Sequence, residues 1–137
     1  MPNASRAEGE FTKLTVLLVE DEPFSIRLAT SVLRQIGVTD IVTARDGAEA
    51  IEVLKVGARP VHLIISDWNM PNMNGLELLK IVRATWPDIP FLMLTGSRSP
   101  DLVLAARDHQ VNGYIVKPFS AEQLGKKIAS ILHKPKG

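Results

Sequence analysis

The sequence predicts an α/β fold of the doubly wound kind, a parallel sheet with helices on both faces. Two observations carry this expectation. Five short runs rich in β-branched residues, several of them continuously apolar, read as strands covered on both sides. Longer segments of helical period lie between and after them, so a βα unit recurs five times, and repeated βα units build parallel sheets.

Each element has its own signals. The first strand is expected at 14–19. Ile26, Ala29, Leu33 and Ile36 then form an apolar helical stripe, with Gly37 as its stop. The second strand, 40–44, leads into a helix opened by a capping box of Asp46 with Glu49 and ended by Gly57 and Pro60. The third strand, 61–66, precedes a helix lined by Leu76, Leu79 and Val82 that stops before Pro87. After the fourth strand, 91–95, Ser99 and Pro100 open a helix with proline at its first position. The fifth strand, 114–116, is followed by a capping box of Ser120 with Gln123 and a helix facing inward through Leu124, Ile128 and Ile131.

Composition bounds the function classes. A chain of 137 residues is the size of one domain and holds an ordinary core. Sixteen Lys plus Arg against fifteen Asp plus Glu give a net charge of +1, which argues against nucleic-acid binding by bulk charge. The absence of cysteine excludes disulfides, thiolate metal sites and thiol nucleophiles. No apolar run approaches the roughly 18 residues of a membrane helix. The polar N-terminus lacks the apolar core of a secretory signal, so a cytoplasmic protein is expected and Asn3-Ala4-Ser5 reads as a chance glycosylation pattern. We expect a flexible N-terminal tail over 1–12, one domain over 13–133 and a short C-terminal tail over 134–137.

Doubly wound folds bind their ligands beyond the carboxyl ends of the strands. Glu20, Asp21 and Glu22 follow the first strand, Asp67 follows the third, Thr95 ends the fourth and Lys117 follows the fifth. Singly, each has an ordinary explanation: Glu22 before Pro23 and Asp46 read as helix caps, and a lone lysine in a loop is usually solvated. Jointly, they bring acids, a hydroxyl and an ammonium to one edge. Carboxylates crowded there repel each other, which raises their pKa values or demands a cation. A hard divalent ion with oxygen ligands, Mg²⁺, resolves the conflict and keeps positions open for phosphate oxygens. A carboxylate beside Mg²⁺, a lysine and a threonine suits phosphoryl chemistry, with attack on phosphorus to form an acyl phosphate. Neither a GxxxxGK[ST] nor a GxGxxG loop is present, so nucleotide binding is not expected.

Four segments also resemble a known family. They are Leu17-Leu18-Val19-Glu20-Asp21-Glu22-Pro23, the stretch from Asp67-Trp68-Asn69-Met70-Pro71 to Gly75, Leu94-Thr95-Gly96, and Tyr114-Ile115-Val116-Lys117-Pro118-Phe119. Together they are similar to the response-regulator receiver domain, the chemotaxis receivers in particular, from about residue 13 to 133. The resemblance implies a flavodoxin-like, CheY-like sheet in strand order 2-1-3-4-5. It implies that Asp67 is the phosphoacceptor. Asp21 would ligate Mg²⁺ directly, Glu20 would act mainly through bound water, and Asp67 and the Asn69 backbone carbonyl would complete the metal set. Thr95 would bind a phosphoryl oxygen, and Lys117 would pair with the phosphate, with the Lys117–Pro118 bond often cis in the family. Gly75 would supply a backbone conformation that a β-carbon penalises. Thr95 and Tyr114 would form the switch: phosphate draws Thr95 inward, Tyr114 fills the space, and the face of helix 4, strand 5 and helix 5 changes its affinity for a partner.

The resemblance further implies a switch that catalyses only its own phosphorylation and dephosphorylation. Its expected partners are a sensor histidine kinase or histidine phosphotransfer protein and a downstream protein target, without nucleic acid or membrane. A monomer or a weak phosphorylation-dependent dimer is expected. Alternatives within the family are a phosphorelay shuttle and a receiver cut from a larger regulator; the stand-alone receiver leads because no output domain follows Gly137. Outside it, a haloacid-dehalogenase-type phosphatase would need an acid where Asn69 stands, and a flavin-binding protein has only the fold in its favour. Trp68 reads as lining the site, Trp86 as ordinary packing or surface, and Met70 with Met73 as a loop feature. His62, His109 and His133 lack metal-ligand spacing, and Lys126 with Lys127 reads as a solvated face. Four departures from the chemotaxis pattern bear on phosphoryl lifetime and partner: Glu20 in place of aspartate, Gly96, Ser97, and Asp108-His109-Gln110-Val111 before the fifth strand.

Overall fold

A computed structural model describes residues 11–96 and 100–133, with the side chains of 100–102 left aside. The predicted start at Ser99, the departure at Ser97 and the tails over 1–10 and 134–137 lie outside the described residues.

The strands are β1 (Thr15–Val19), β2 (Asp40–Ala44), β3 (Leu63–Asp67), β4 (Phe91–Thr95) and β5 (Gly113–Val116). The helices are α1 (Pro23–Gln35), α2 (Gly47–Val56), α3 (Gly75–Thr85), α4 (Pro100–Asp108) and α5 (Ala121–Leu132). All strand pairs are parallel, and the sheet order is β2-β1-β3-β4-β5. The fold is therefore the five-stranded doubly wound sheet that the pattern and the resemblance predicted. Among the described residues no helix is long and apolar enough to cross a membrane.

The alternation of the strands divides the interior into two cores. Val16, Leu18, Leu63, Ile65, Leu92 and Leu94 face one way, where Ala29 and Leu33 of α1 and Leu124 and Ile128 of α5 cover them. Leu17, Val19, Ile64, Phe91 and Met93 face the other way, under Ala50 and Leu54 of α2, Leu78, Leu79 and Val82 of α3 and Ala106 of α4. β1, β3 and β4 are buried throughout, which is why their sequences are continuously apolar. The edge strands β2 and β5 are only partly covered.

Local chemistry fixes the helix starts. The Glu22 carboxylate accepts from Phe24 N and Ser25 N and caps α1. Asn74 with Glu77 and Ser120 with Gln123 form complete capping boxes at α3 and α5. The box predicted for Asp46 is only half formed. Asp46 Oδ1 accepts from Glu49 N at 2.8 Å, but Glu49 turns outward to accept from Arg45 N at 3.3 Å and to approach Arg45 Nε at 3.6 Å. At the other end of α2, Gly57 closes the helix at φ 61°, where glycine escapes the β-carbon penalty.

Three further expectations need correction. Asp67 belongs to β3 rather than following it, because its pairing with Leu94 and the Trp68 N to Leu94 O bond of 2.9 Å extend the ladder. Leu79 and Val82 face inward as predicted, but Leu78 is the fully buried third position, while Leu76 is only partly buried at the flank of α3. The tail predicted over 1–12 is too long by Phe11 and Thr12. Phe11 is buried in the first core, which contributes roughly 2 kcal/mol. Its carbonyl accepts from Leu14 N at 3.1 Å, and Thr12 O accepts from Thr39 Oγ1 at 3.3 Å.

Candidate functional site

The carboxyl ends of β1, β3, β4 and β5 deliver Glu20, Asp67, Thr95 and Lys117 to one edge of the sheet. Glu20 is buried, 2% exposed, and held on every side. Its backbone N–H donates to Ala44 O at 2.9 Å, which ties the end of β1 to the end of β2. Its Oε2 accepts from Asp21 N at 3.1 Å and Glu22 N at 3.3 Å, and its Oε1 accepts from Lys117 Nζ at 2.9 Å. The same ammonium stands 3.0 Å from Asp67 Oδ1. Asp67 is 8% exposed, and buried Ser66 donates from Oγ to the Asp67 carbonyl at 3.0 Å. Lys117 is positioned by its backbone N–H, which donates to Thr95 O at 2.8 Å, and it precedes a cis bond to Pro118.

These contacts set the charge states. Burial pushes the Glu20 carboxyl above its ordinary range, aided by the Asp67 charge and opposed by Lys117 and the Glu22 N–H. Burial pulls the Lys117 ammonium down, but its hydrogen bonds and charge attraction to Glu20 and Asp67 outweigh this and hold it above its ordinary value. Lys117 therefore stays charged between the two acids.

Three carboxylates share this corner. One oxygen each from Glu20, Asp21 and Asp67 lies within 4.8 Å of the others, the only such group among the described residues. At that separation each like-charge pair repels by about 3 kcal/mol at an effective dielectric near 20. Lys117 offsets one charge and leaves an excess that suits a hard divalent cation with oxygen ligands such as Mg²⁺. Asp21 is exposed, and with Asn69, Met70, Pro71 and Asn74 it lines an open cleft of about 550 Å³. The donor set thus fits the metal that the sequence predicted, and it has an open approach.

Thr95 is 5% exposed and pairs with Val116 across β4 and β5. Tyr114, two residues before Val116 on the same face of β5, is 38% exposed, with Lys127 Nζ 5.9 Å from its ring centre. Lys117 thus touches Glu20 and Asp67, Asp21 stands within 4.8 Å of both acids, Asn69 lies on the adjoining loop, and Tyr114 is turned outward.

Two residues fill other roles than the sequence suggested. Trp68 is 7% exposed and packs in the second core, because strand pairing turns it away from Asp67. Gly75 has no left-handed φ; it is glycine for lack of space. A β-carbon there would stand 2.6 Å from Asp67 O, 2.7 Å from Met93 Sδ and 3.1 Å from Trp68 Cα. Unforeseen from the sequence, an apolar pocket of about 300 Å³ lies beside the acids, lined in part by Leu28, Ala29, Leu94, Pro118 and Phe119. Leu28 of the lining is 51% exposed, and Phe24, one turn earlier on α1, is 61% exposed. Their spacing of four residues, outside the Ile26, Ala29 and Leu33 stripe, was the available signal.

Comparison with known proteins agrees with this arrangement. The family model described as response regulator receiver domain matches residues 16–129. The chemotaxis protein CheY of Pseudomonas aeruginosa is 36% identical over 126 residues, covering 90% of this chain and 100% of that protein. A CheY homolog of Campylobacter jejuni is 38% identical over 121 residues, covering 87% of this chain and 92% of that protein. The chemotaxis response regulator CheY4 of Vibrio cholerae superposes with a TM-score of 0.76 at 34% identity, covering 86% of this chain and 98% of that one. CheY in a CheX–CheY–BeF₃–Mg²⁺ complex from Borrelia burgdorferi superposes with a TM-score of 0.82 at 25% identity, covering 88% and 90%.

Proposed function

This chain belongs to the response regulator receiver family of two-component signalling, and on that premise we propose that Asp67 accepts a phosphoryl group from a phosphohistidine. Receivers of this kind are signalling switches rather than enzymes with an external substrate. One observation carries the reading: a single ammonium, Lys117, bridges buried Glu20 at 2.9 Å and Asp67 at 3.0 Å, with the Asp21 carboxylate in the same corner.

The P–N bond of the donor breaks as an Asp67 carboxylate oxygen bonds to phosphorus, and the histidine nitrogen keeps the electron pair. Lys117 follows the negative charge from the carboxylate onto the phosphoryl oxygens, and Thr95 donates its hydroxyl to one of them. Asp21, Asp67 and the Asn69 carbonyl, with Glu20 mainly through bound water, would hold Mg²⁺, and the ion would supply charge neutralisation for the group in transfer. The Borrelia complex supports this, since there a CheY stands in one complex with CheX, beryllofluoride and Mg²⁺. Movement of Thr95 toward the phosphoryl group opens room for Tyr114 to turn inward, which changes the face of α4, β5 and α5 presented to a downstream protein. The donor is a sensor histidine kinase or a histidine phosphotransfer protein in the cytoplasm.

The test is the intact mass after incubation with acetyl phosphate and Mg²⁺, beside Asp67→Ala. One added phosphoryl group that needs both Asp67 and Mg²⁺ is expected. If no mass is added and beryllofluoride does not bind, the reading fails.

A further inference from the structure

The segment 69–74, which carries Asn69, is closed at its base by Gly75 N donating to Trp68 O at 2.8 Å. Its tip is held under strain: Asn72 sits at φ 69°, and Met73 N donates to Pro71 O at 2.7 Å. Asparagine adopts this region more readily than other non-glycine residues, and neighbouring contacts offset the cost that remains.

Met73 supplies such a contact by resting on Gly47, the first residue of α2. A β-carbon on Gly47 would fall on Met73 Sδ and lie 2.9 Å from its Cγ. Gly47 has no left-handed φ, so a β-carbon there would compete only with the space that the Met73 side chain fills. The seat lies just past the end of β2, and that end is tied to the acids by Glu20 N donating to Ala44 O at 2.9 Å. Met73 on Gly47 therefore spans the two halves of the corner, the strand end bearing Glu20 and Asp21 and the loop bearing Asn69.

We propose that Met73, seated on Gly47, is a positioning residue that sets the spacing of these halves and thereby the affinity for Mg²⁺. This rests on the metal site of the preceding section. A β-carbon at 47 pushes Met73 and its loop away, whereas removing the Met73 side chain lets the loop drift.

The test is calorimetric titration of Mg²⁺ into metal-free protein, with urea unfolding as the check on folding. Gly47→Ala should weaken Mg²⁺ binding about tenfold. Met73→Ala should weaken it roughly threefold. The double variant should bind no worse than Met73→Ala alone, because the β-carbon then meets no thioether. A folded Gly47→Ala that binds like wild type, or losses that simply add, would overturn the proposal. If Gly47→Ala does not fold, Met73→Ala decides alone, and unchanged affinity overturns it. Wild-type protein that binds no Mg²⁺ overturns the metal site itself and this inference with it; wild-type binding with unaffected variants overturns the inference only.

Discussion

Replacing Lys117 with methionine gives the sharpest test of the electrostatics. The side chain keeps its bulk, but Glu20 Oε1 and Asp67 Oδ1 lose an ammonium at 2.9 and 3.0 Å. Removing one partner of a fully buried pair costs about 3–5 kcal/mol. The Lys117 side chain is 28% exposed, so we expect roughly 2 kcal/mol at neutral pH without divalent metal. The sign with pH follows from the shifts. The Lys117 pKa is raised from 10.5, so its contribution is complete at neutral pH and is lost only as pH climbs through the folded value. The Glu20 pKa is raised from 4.5 despite Lys117 and rises further without it. The folded variant then holds a proton that the unfolded chain has released, and it loses stability as pH rises through that window. The deficit of Lys117→Met should shrink as pH falls toward about 5. Mg²⁺ should bind the more negative site more tightly, stabilising the variant by about 2.7 kcal/mol at a hundredfold excess over its Kd, and so narrow the deficit by the amount this exceeds the stabilisation of wild type. Urea unfolding at both pH values, with and without Mg²⁺, measures all three effects. A deficit equal at both pH values and untouched by Mg²⁺ would refute the charge argument.

Three other outcomes are expected. Gly75→Ala should cost about 2–3 kcal/mol in urea unfolding through contact with Asp67 O, whereas Gly96→Ala, with nothing within 4 Å of the new carbon, should stay within about 0.5 kcal/mol of wild type. Arg83→Met should cost roughly 2–3 kcal/mol by the same measurement, because Arg83 donates to Gln110 O at 2.9 Å, Ile89 O at 2.8 Å and Asn112 Oδ1 at 2.5 Å. Leu28→Asp should slow phosphoryl transfer from a phosphohistidine protein about tenfold while leaving the reaction with acetyl phosphate unchanged, since Leu28 flanks the apolar pocket at the mouth of the site. Equal slowing with both donors would place its effect in the chemistry rather than in docking.

The site was legible in outline because the fold's rule is local. A strand of this sheet announces itself by its apolar run, and the next side chains emerge at the ligand edge, so Glu20, Asp21, Asp67, Thr95 and Lys117 could be picked out by position. The caps at Glu22, Asn74 and Ser120 act over two or three residues, and the sequence at 22 and 120 showed them. What Lys117 does could not be read in this way: its two partners lie 97 and 50 positions away, and only the closed sheet brings them together.

The sequence by itself determined the five βα units, the edge where the chemistry gathers and the residue types that meet there, since hydrophobic period and cap chemistry are properties of neighbours along the chain. Tertiary structure alone decided that Trp68 is core, that Gly75 yields space to Asp67 O, that Gly47 seats Met73 and that Phe11 belongs to the domain. Each of these outcomes depends on which distant atoms occupy the same volume, and close packing settles that only once the helices have docked on the sheet.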